Sequence, residues 1–223
     1  MKNPQSGFTL VEIAIVLVII GLLLGGVLKG QEMIENARIK SIVNDMNGVS
    51  AAYNSYMDRY HAIPGDETAA VMTARGWLGT AGAAGGTANN GVLNVAPADA
   101  FINAGEQAAL WRALRGSLLT TGNPAAAAGV AGLPRSGTGG LIGVATGVYG
   151  MTGPAVCVSG LTTKQAAGVD AAIDGAGAAN NTGSVRGATD AANPFAPAAA
   201  APAAATAYNE TVTTTPWTMC RTL

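Results

Sequence analysis

Residues 8–28 read FTLVEIAIVLVIIGLLLGGVL, apolar throughout except for Thr9 and Glu12. About twenty such residues in a helix cross a hydrocarbon core ~30 Å thick, so the stretch is long enough to span a membrane. A cleaved secretory signal competes with that reading, but its apolar core runs to only ~7–15 residues and ends at an Ala-x-Ala-like site. Here the run is longer and is followed by Lys29-Gly30-Gln31-Glu32, so the segment is expected to be retained. Glu12 stands inside it. A carboxylate in a span is costly unless it is paired or lies near the interface. Two readings follow: it snorkels into the headgroups, or a specific partner meets it.

Beyond the span, Ile39, Ile42, Met46, Val49, Tyr53, Tyr56 and Tyr60 recur in steps of three and four. That spacing predicts an amphipathic helix with one buried face. Lys40, Asn44, Asp45, Asn47, Asn54 and Asp58 occupy the other positions, and Pro64-Gly65 ends the pattern. Proline biases its predecessor away from helix, and Pro-Gly favours a turn. A continuous helix from Phe8 to about His61 would be roughly 80 Å long at ~1.5 Å per residue. Gly21 and Gly25, then Gly26 and Gly30, stand four apart. Such spacing permits close packing between membrane helices and also weakens the helix locally.

The chain has 223 residues, 31 of them Gly, with 49% hydrophobic and only 11% charged residues. About 25% charged is usual for a soluble domain, so the head must draw on small apolar side chains and loops. A net charge of −1 removes any global positive field and disfavours nucleic acid as a partner. Cys157 and Cys220 form no Cys-x-x-Cys, and His61 is the single histidine, so a structural zinc site lacks ligands. One disulfide between the two cysteines is expected, two buried thiols being the other option, and a bridge fits an oxidising compartment.

Ser6-Gly7-Phe8-Thr9-Leu10-Val11-Glu12 resembles the type IV prepilin processing site. In that family, which includes type II secretion pseudopilins, a membrane peptidase cuts after the glycine and methylates the new N-terminus. The resemblance implies that residues 1–7 are a leader ending at Gly7, that Phe8 opens the mature chain, and that Glu12 meets the α-amino group of a neighbouring subunit during assembly. Lys2 in the leader satisfies the positive-inside preference. The partners implied are other pilin subunits in a homo- or hetero-filament, a prepilin peptidase, an inner-membrane assembly platform, and the membrane before assembly. The location implied is a single-pass inner-membrane protein that becomes a periplasmic or extracellular filament, serving a pilus or a secretion system. No cofactor is implied.

The expected organisation is a leader (1–7), a membrane or filament-core helix (8–28), an amphipathic continuation (29–63) and a loop-rich head (64–223). The fold class is α+β, a long N-terminal helix whose second half packs on a small antiparallel sheet. A short helix is predicted at 104–119 and strands at 141–148, 155–158 and 211–219, while Ala/Gly/Pro-rich segments 79–91, 122–140 and 191–207 read as exposed loops. Arg59-Tyr60-His61-Ala62-Ile63-Pro64-Gly65-Asp66, Leu110-Trp111-Arg112-Ala113-Leu114 and the stretch 169–175 with 182–186 are similar to pilin-like secretion subunits.

Asp170 and Asp174 could offer oxygen ligands to calcium, but their spacing is not an EF-hand and a solvated polar turn is the default, so no metal is expected. His61 as a general base lacks a nucleophile nearby, and Gly-x-Ser-x-Gly, His-Glu-x-x-His and Walker sequences are missing, so no enzyme is expected. Trp77, Trp111 and Trp217 read as core anchors rather than a ligand platform. The expected function is a structural filament subunit. The alternative is a minor or tip pilin whose head binds a surface, DNA or a secreted substrate.

Overall fold

The first helix, α1 (Leu10–Tyr60), is the longest element of the computed structural model. The structure describes residues 9–77, 89–102, 104–125, 132–175, 177, 179–189, 197–198, 208 and 215–223. The chain divides into two units, Met1–Ala37 and Arg38–Leu223. In the first, the α1 side chains from Leu10 to Leu28 all stand exposed.

In the second unit, α1 buries Ile42, Met46, Val49, Ala52, Tyr53 and Tyr56, with Ile39 and Tyr60 packed at the margin of the core. This is the face marked by the three-and-four spacing. His61 closes the helix: its N–H donates to Met57 O at 2.9 Å and its φ is 50°, the left-handed stop that often ends helices.

Further helical segments follow before the sheet is complete. Helix α2 (Ala69–Ala74) is capped by the Thr68 hydroxyl. Helix α3 (Gly105–Gly116) is buried over most of its circumference, including Leu110, Trp111 and Leu114. Short 3-10 turns occupy Pro97–Asp99 and Val148–Gly150. Helix α4 (Thr163–Ile173) starts at a reciprocal capping box, in which Gln165 N–H donates to Thr162 Oγ1 at 3.2 Å and Thr162 N–H donates to Gln165 Oε1 at 3.1 Å. Its Gly168 lies close to α1: a Cβ there would lie 2.3 Å from Ile39 Cδ1, so a side chain at this position would force Ile39 to shift.

Strands β1 (Ile142–Thr146), β2 (Pro154–Leu161), β3 (Val185–Thr189) and β4 (Trp217–Thr222) form one antiparallel sheet in the order β1-β2-β4-β3. Gly143 lets β1 approach the Pro97–Asp99 turn, since a Cβ there would meet Ala100 O at 1.8 Å. Long helix and antiparallel sheet together make the fold α+β and pilin-like.

Several boundaries differ from the sequence reading. The strand expected at 141–148 stops at Thr146, because Gly147 and Tyr149 take positive φ and turn the chain. The strand expected at 211–219 begins at Trp217 and continues to Thr222, while residues 209–214 lie outside the described set. The segment 122–140 is not wholly an exposed loop: Leu133 and Ser136 are buried, and Arg135 bridges to Leu141 beside β1. Helices α2 and α4 and strand β3 were not anticipated. Much of 79–91 and 191–207 lies outside the described residues.

Candidate functional site: the exposed N-terminal helix

The start of α1 is organised by Thr9 and Glu12. Thr9 N–H and Thr9 Oγ1 each donate to Glu12 Oε2 at 2.8 Å, and Glu12 N–H donates to Thr9 Oγ1 at 3.3 Å. This is a capping box: the first-turn N–H groups of a helix lack intrahelical partners, and a Thr followed three residues later by Glu satisfies two of them reciprocally. Glu12 therefore has a local partner that neither sequence reading of it included. The signal, Thr-x-x-Glu before an apolar run, was present in the chain.

From Leu10 to Leu28 the helix presents Leu, Ile and Val on every side, with none of its apolar window buried within the chain. It is long and apolar enough to cross a membrane. An apolar surface on all faces belongs to a helix surrounded by lipid or by other helices. Lys29 follows at once and pairs with Glu32 at 2.8 Å, both in solvent, a pair of small energetic weight. Gly21, Gly25, Gly26 and Gly30 have open space where a Cβ would stand. Gly7 and Phe8 lie outside the described residues.

The remaining candidates lie in the second unit. Cys157 and Cys220 sit directly opposite one another on β2 and β4 and are joined, with Sγ–Sγ 2.11 Å. Asp170 is buried and accepts from the Tyr208 hydroxyl; burial, together with the charge of Asp174, raises its pKa. Asp174 accepts from the Ser184 hydroxyl and from Val185 N–H at 2.8 Å, tying the end of α4 to the start of β3. Both carboxylates thus hold protein donors, and among the described residues no three His, Cys, Asp or Glu side chains gather as a cation site. His61 is exposed at the end of α1.

Trp111 and Trp217 are buried, and Trp77 packs edge-on to Tyr60 at 5.3 Å between ring centroids. A polar knot not foreseen from sequence lies beside Trp77. The Tyr56 hydroxyl donates to Glu67, and Arg75 Nη1 donates to Glu67 Oε2 at 2.6 Å and to Tyr56 Oη at 2.8 Å. Burial and the Glu67 carboxylate push the Tyr56 hydroxyl far above the usual phenol range. The Arg75 guanidinium also stacks over the rings of Tyr60 and Trp77 at 4.6 and 5.0 Å.

Comparison with known proteins bears on the N-terminal segment. Residues 2–28 match the family model described as the prokaryotic N-terminal methylation motif, the signature of type IV pilins and pseudopilins. The N-terminal segment thus carries the processing motif of that group, and α1 opens with an apolar stretch that fits a membrane anchor. No curated protein and no solved structure matches the chain.

Proposed function

We propose that this protein is a structural subunit of a type IV pilus-like or type II secretion filament, not an enzyme. It is cut after Gly7, carries Phe8 as its methylated N-terminus, and is drawn from the inner membrane into a filament by an assembly platform. The observation that carries this reading is the contrast within α1: a fully exposed apolar segment from Leu10 to Leu28, then a face buried in the head's own core. Among the described residues, the head's core draws on α1 only from Ile39 onward. The exposed segment must therefore be covered by lipid or by its counterparts in other subunits.

Lipid tails are as apolar as leucine, so hydrophobicity alone does not favour filament over membrane; packing and polar pairing set the balance. In a dry bundle Glu12 faces the Phe8 amino group of a neighbour, and removing one partner of a buried pair costs ~3–5 kcal/mol. The capping box supplies the discriminating test. Glu12→Gln keeps a side chain able to cap, whereas Glu12→Ala removes cap and charge together. Both variants should be processed and found in the inner membrane, and both should yield little or no filament on shearing. If Glu12→Gln assembled at wild-type level while Glu12→Ala failed, the glutamate would be a helix cap and the intersubunit pairing would be wrong.

A further inference from the structure

A cavity of about 290 Å3 opens in the head between α1 and the C-terminal end of α3. Asn44 and Asp45 form one wall; Trp111, Arg115, Thr120 and Arg135 contribute to the others. Polar groups short of partners collect here. Arg115 is only 7% exposed, and its Nη2 donates to Gly132 O at 2.7 Å. Among the described residues no carboxylate lies within ion-pair distance of it. The Gly122 turn lies against its guanidinium: a Cβ there would come within 2.8 Å of Arg115 Nε. Burial and the neighbouring charge of Arg112 both lower the Arg115 pKa. Trp111 Nε1 and Thr120 Oγ1 are buried with no hydrogen-bond partner among the described residues.

Such an arrangement is expensive in an isolated domain. Buried donors are paired in the great majority of cases, and each unpaired one carries a desolvation cost. A buried guanidinium without a counter-charge costs more. All three groups belong to residues lining one cavity, and all three can donate. Among the described residues Arg115 lacks a counter-charge, and Trp111 Nε1 and Thr120 Oγ1 lack any acceptor.

We propose that this pocket binds a carboxylate, with Arg115 as its counter-charge and Trp111 Nε1 and Thr120 Oγ1 as neutral donors. Guanidinium matches the planar two-oxygen acceptor of a carboxylate. The same wall carries Asp45, which accepts from Gly137 N–H at 3.0 Å and brings a negative charge of its own. That charge weighs more heavily against a dianion than against a single carboxylate paired with Arg115. Exposed Arg135, whose Nη1 donates to Gly139 O at 3.0 Å, adds positive charge at the wall. The carboxylate belongs either to a small organic acid or to an acidic side chain of another polypeptide. The inference concerns the head alone and stands whether or not the chain forms filaments.

The test uses the full chain in maltoside micelles, with heat unfolding followed by near-ultraviolet circular dichroism of the tryptophans. Acetate, sulfate and chloride are compared at matched ionic strength, alongside the blocked peptides acetyl-Ala-Glu-Ala-amide and acetyl-Ala-Gln-Ala-amide. Acetate should raise the midpoint saturably above the sulfate and chloride controls, identifying a small acid. A shift from the glutamate peptide alone, and not from its glutamine counterpart, would support the same site with a polypeptide as its source. The decisive variant is Thr120→Val, which replaces an unpartnered hydroxyl by an isosteric methyl. Its midpoint without ligand should equal or exceed wild type, while its carboxylate affinity falls about tenfold, as for one lost hydrogen bond to a charged group. No shift with either carboxylate, an equal shift with sulfate, or undiminished binding by Thr120→Val would overturn the proposal. Arg115→Gln should abolish binding too, but Thr120→Val is the sharper probe because it leaves the buried charge in place.

Discussion

Leu118 is held at φ 61° just beyond α3, and 90% of its surface is in water. For a residue with a Cβ, the left-handed region costs roughly 1–2 kcal/mol, and an exposed leucine regains none of that through burial. Glycine accepts the same φ without the clash, at the cost of greater freedom in the unfolded chain. Leu118→Gly should therefore stabilise the head by about 0.5–1 kcal/mol. Urea unfolding would show a higher midpoint at unchanged slope; a lower midpoint would mean that the leucine makes contacts beyond those within the head. Glu12 illustrates the opposite case at this scale. Its carboxylate is engaged by Thr9 within one chain, yet the same group can accept from a second chain, since an ionised carboxylate has about four acceptor sites.

At the scale of elements, the turn after α1 is fastened by charge rather than by apolar packing alone. Glu67 accepts from both Tyr56 and Arg75, and Arg75 retains its charge because those contacts outweigh its burial. Glu67→Gln removes the counter-charge and leaves the guanidinium among the aromatic rings of Tyr60 and Trp77. With about a quarter of the arginine side chain still reaching solvent, the expected loss lies at the low end for a broken buried pair, roughly 3 kcal/mol. Tyr56→Phe should cost less, about 2 kcal/mol, because it removes a hydroxyl bonded to both charged groups but leaves the Glu67–Arg75 pair in place. Chemical denaturation of the two variants separates them; equal losses would mean that the knot is held by packing and not by charge.

The same scale shows which parts of the fold were legible in the sequence. The buried face of α1 was, because Ile42, Met46, Val49, Tyr53 and Tyr56 are large side chains at helical spacing and their burial dominates the local energetics. Helix α4 was not, because TKQAAGVDAAI hides its period in alanine and glycine; its start was nonetheless signalled by Thr162 and Gln165, as the start of α1 was by Thr9 and Glu12. Strand β3, VRGAT, is short and carries a glycine, so its strand character comes from pairing with β4 and not from propensity. The Glu67–Arg75 contact and the Arg115 pocket depend on residues whose meeting only the tertiary fold determines.

For the whole molecule, the decisive division is between an apolar segment, Leu10–Leu28, exposed along its length, and a head whose described core begins at Ile39. The core cluster draws on Ile39 and residues after it, and the buried residues of α1 begin at Ile42. The sheet is tied at its centre by Cys157–Cys220, whose separation of 63 residues corresponds to about 4 kcal/mol in the chain-entropy model. A chain starting at Lys29 should therefore lose the membrane anchor without losing any of the head's buried contacts. It should be soluble without detergent, and its cooperative thermal unfolding should fall within a few degrees of that of the full chain in micelles. Reduction of the disulfide should lower both midpoints alike, since the bridge lies wholly in the second unit. Full-length protein, by contrast, should partition into membranes whether oxidised or reduced, because partitioning depends on the Leu10–Leu28 surface and not on the head. Calorimetry of the two chains, with and without reductant, checks each arm. If the shortened chain unfolded without cooperativity, or only the full chain responded to reductant, the head would depend on the apolar helix for its stability, and the separation of anchoring from folding would be wrong.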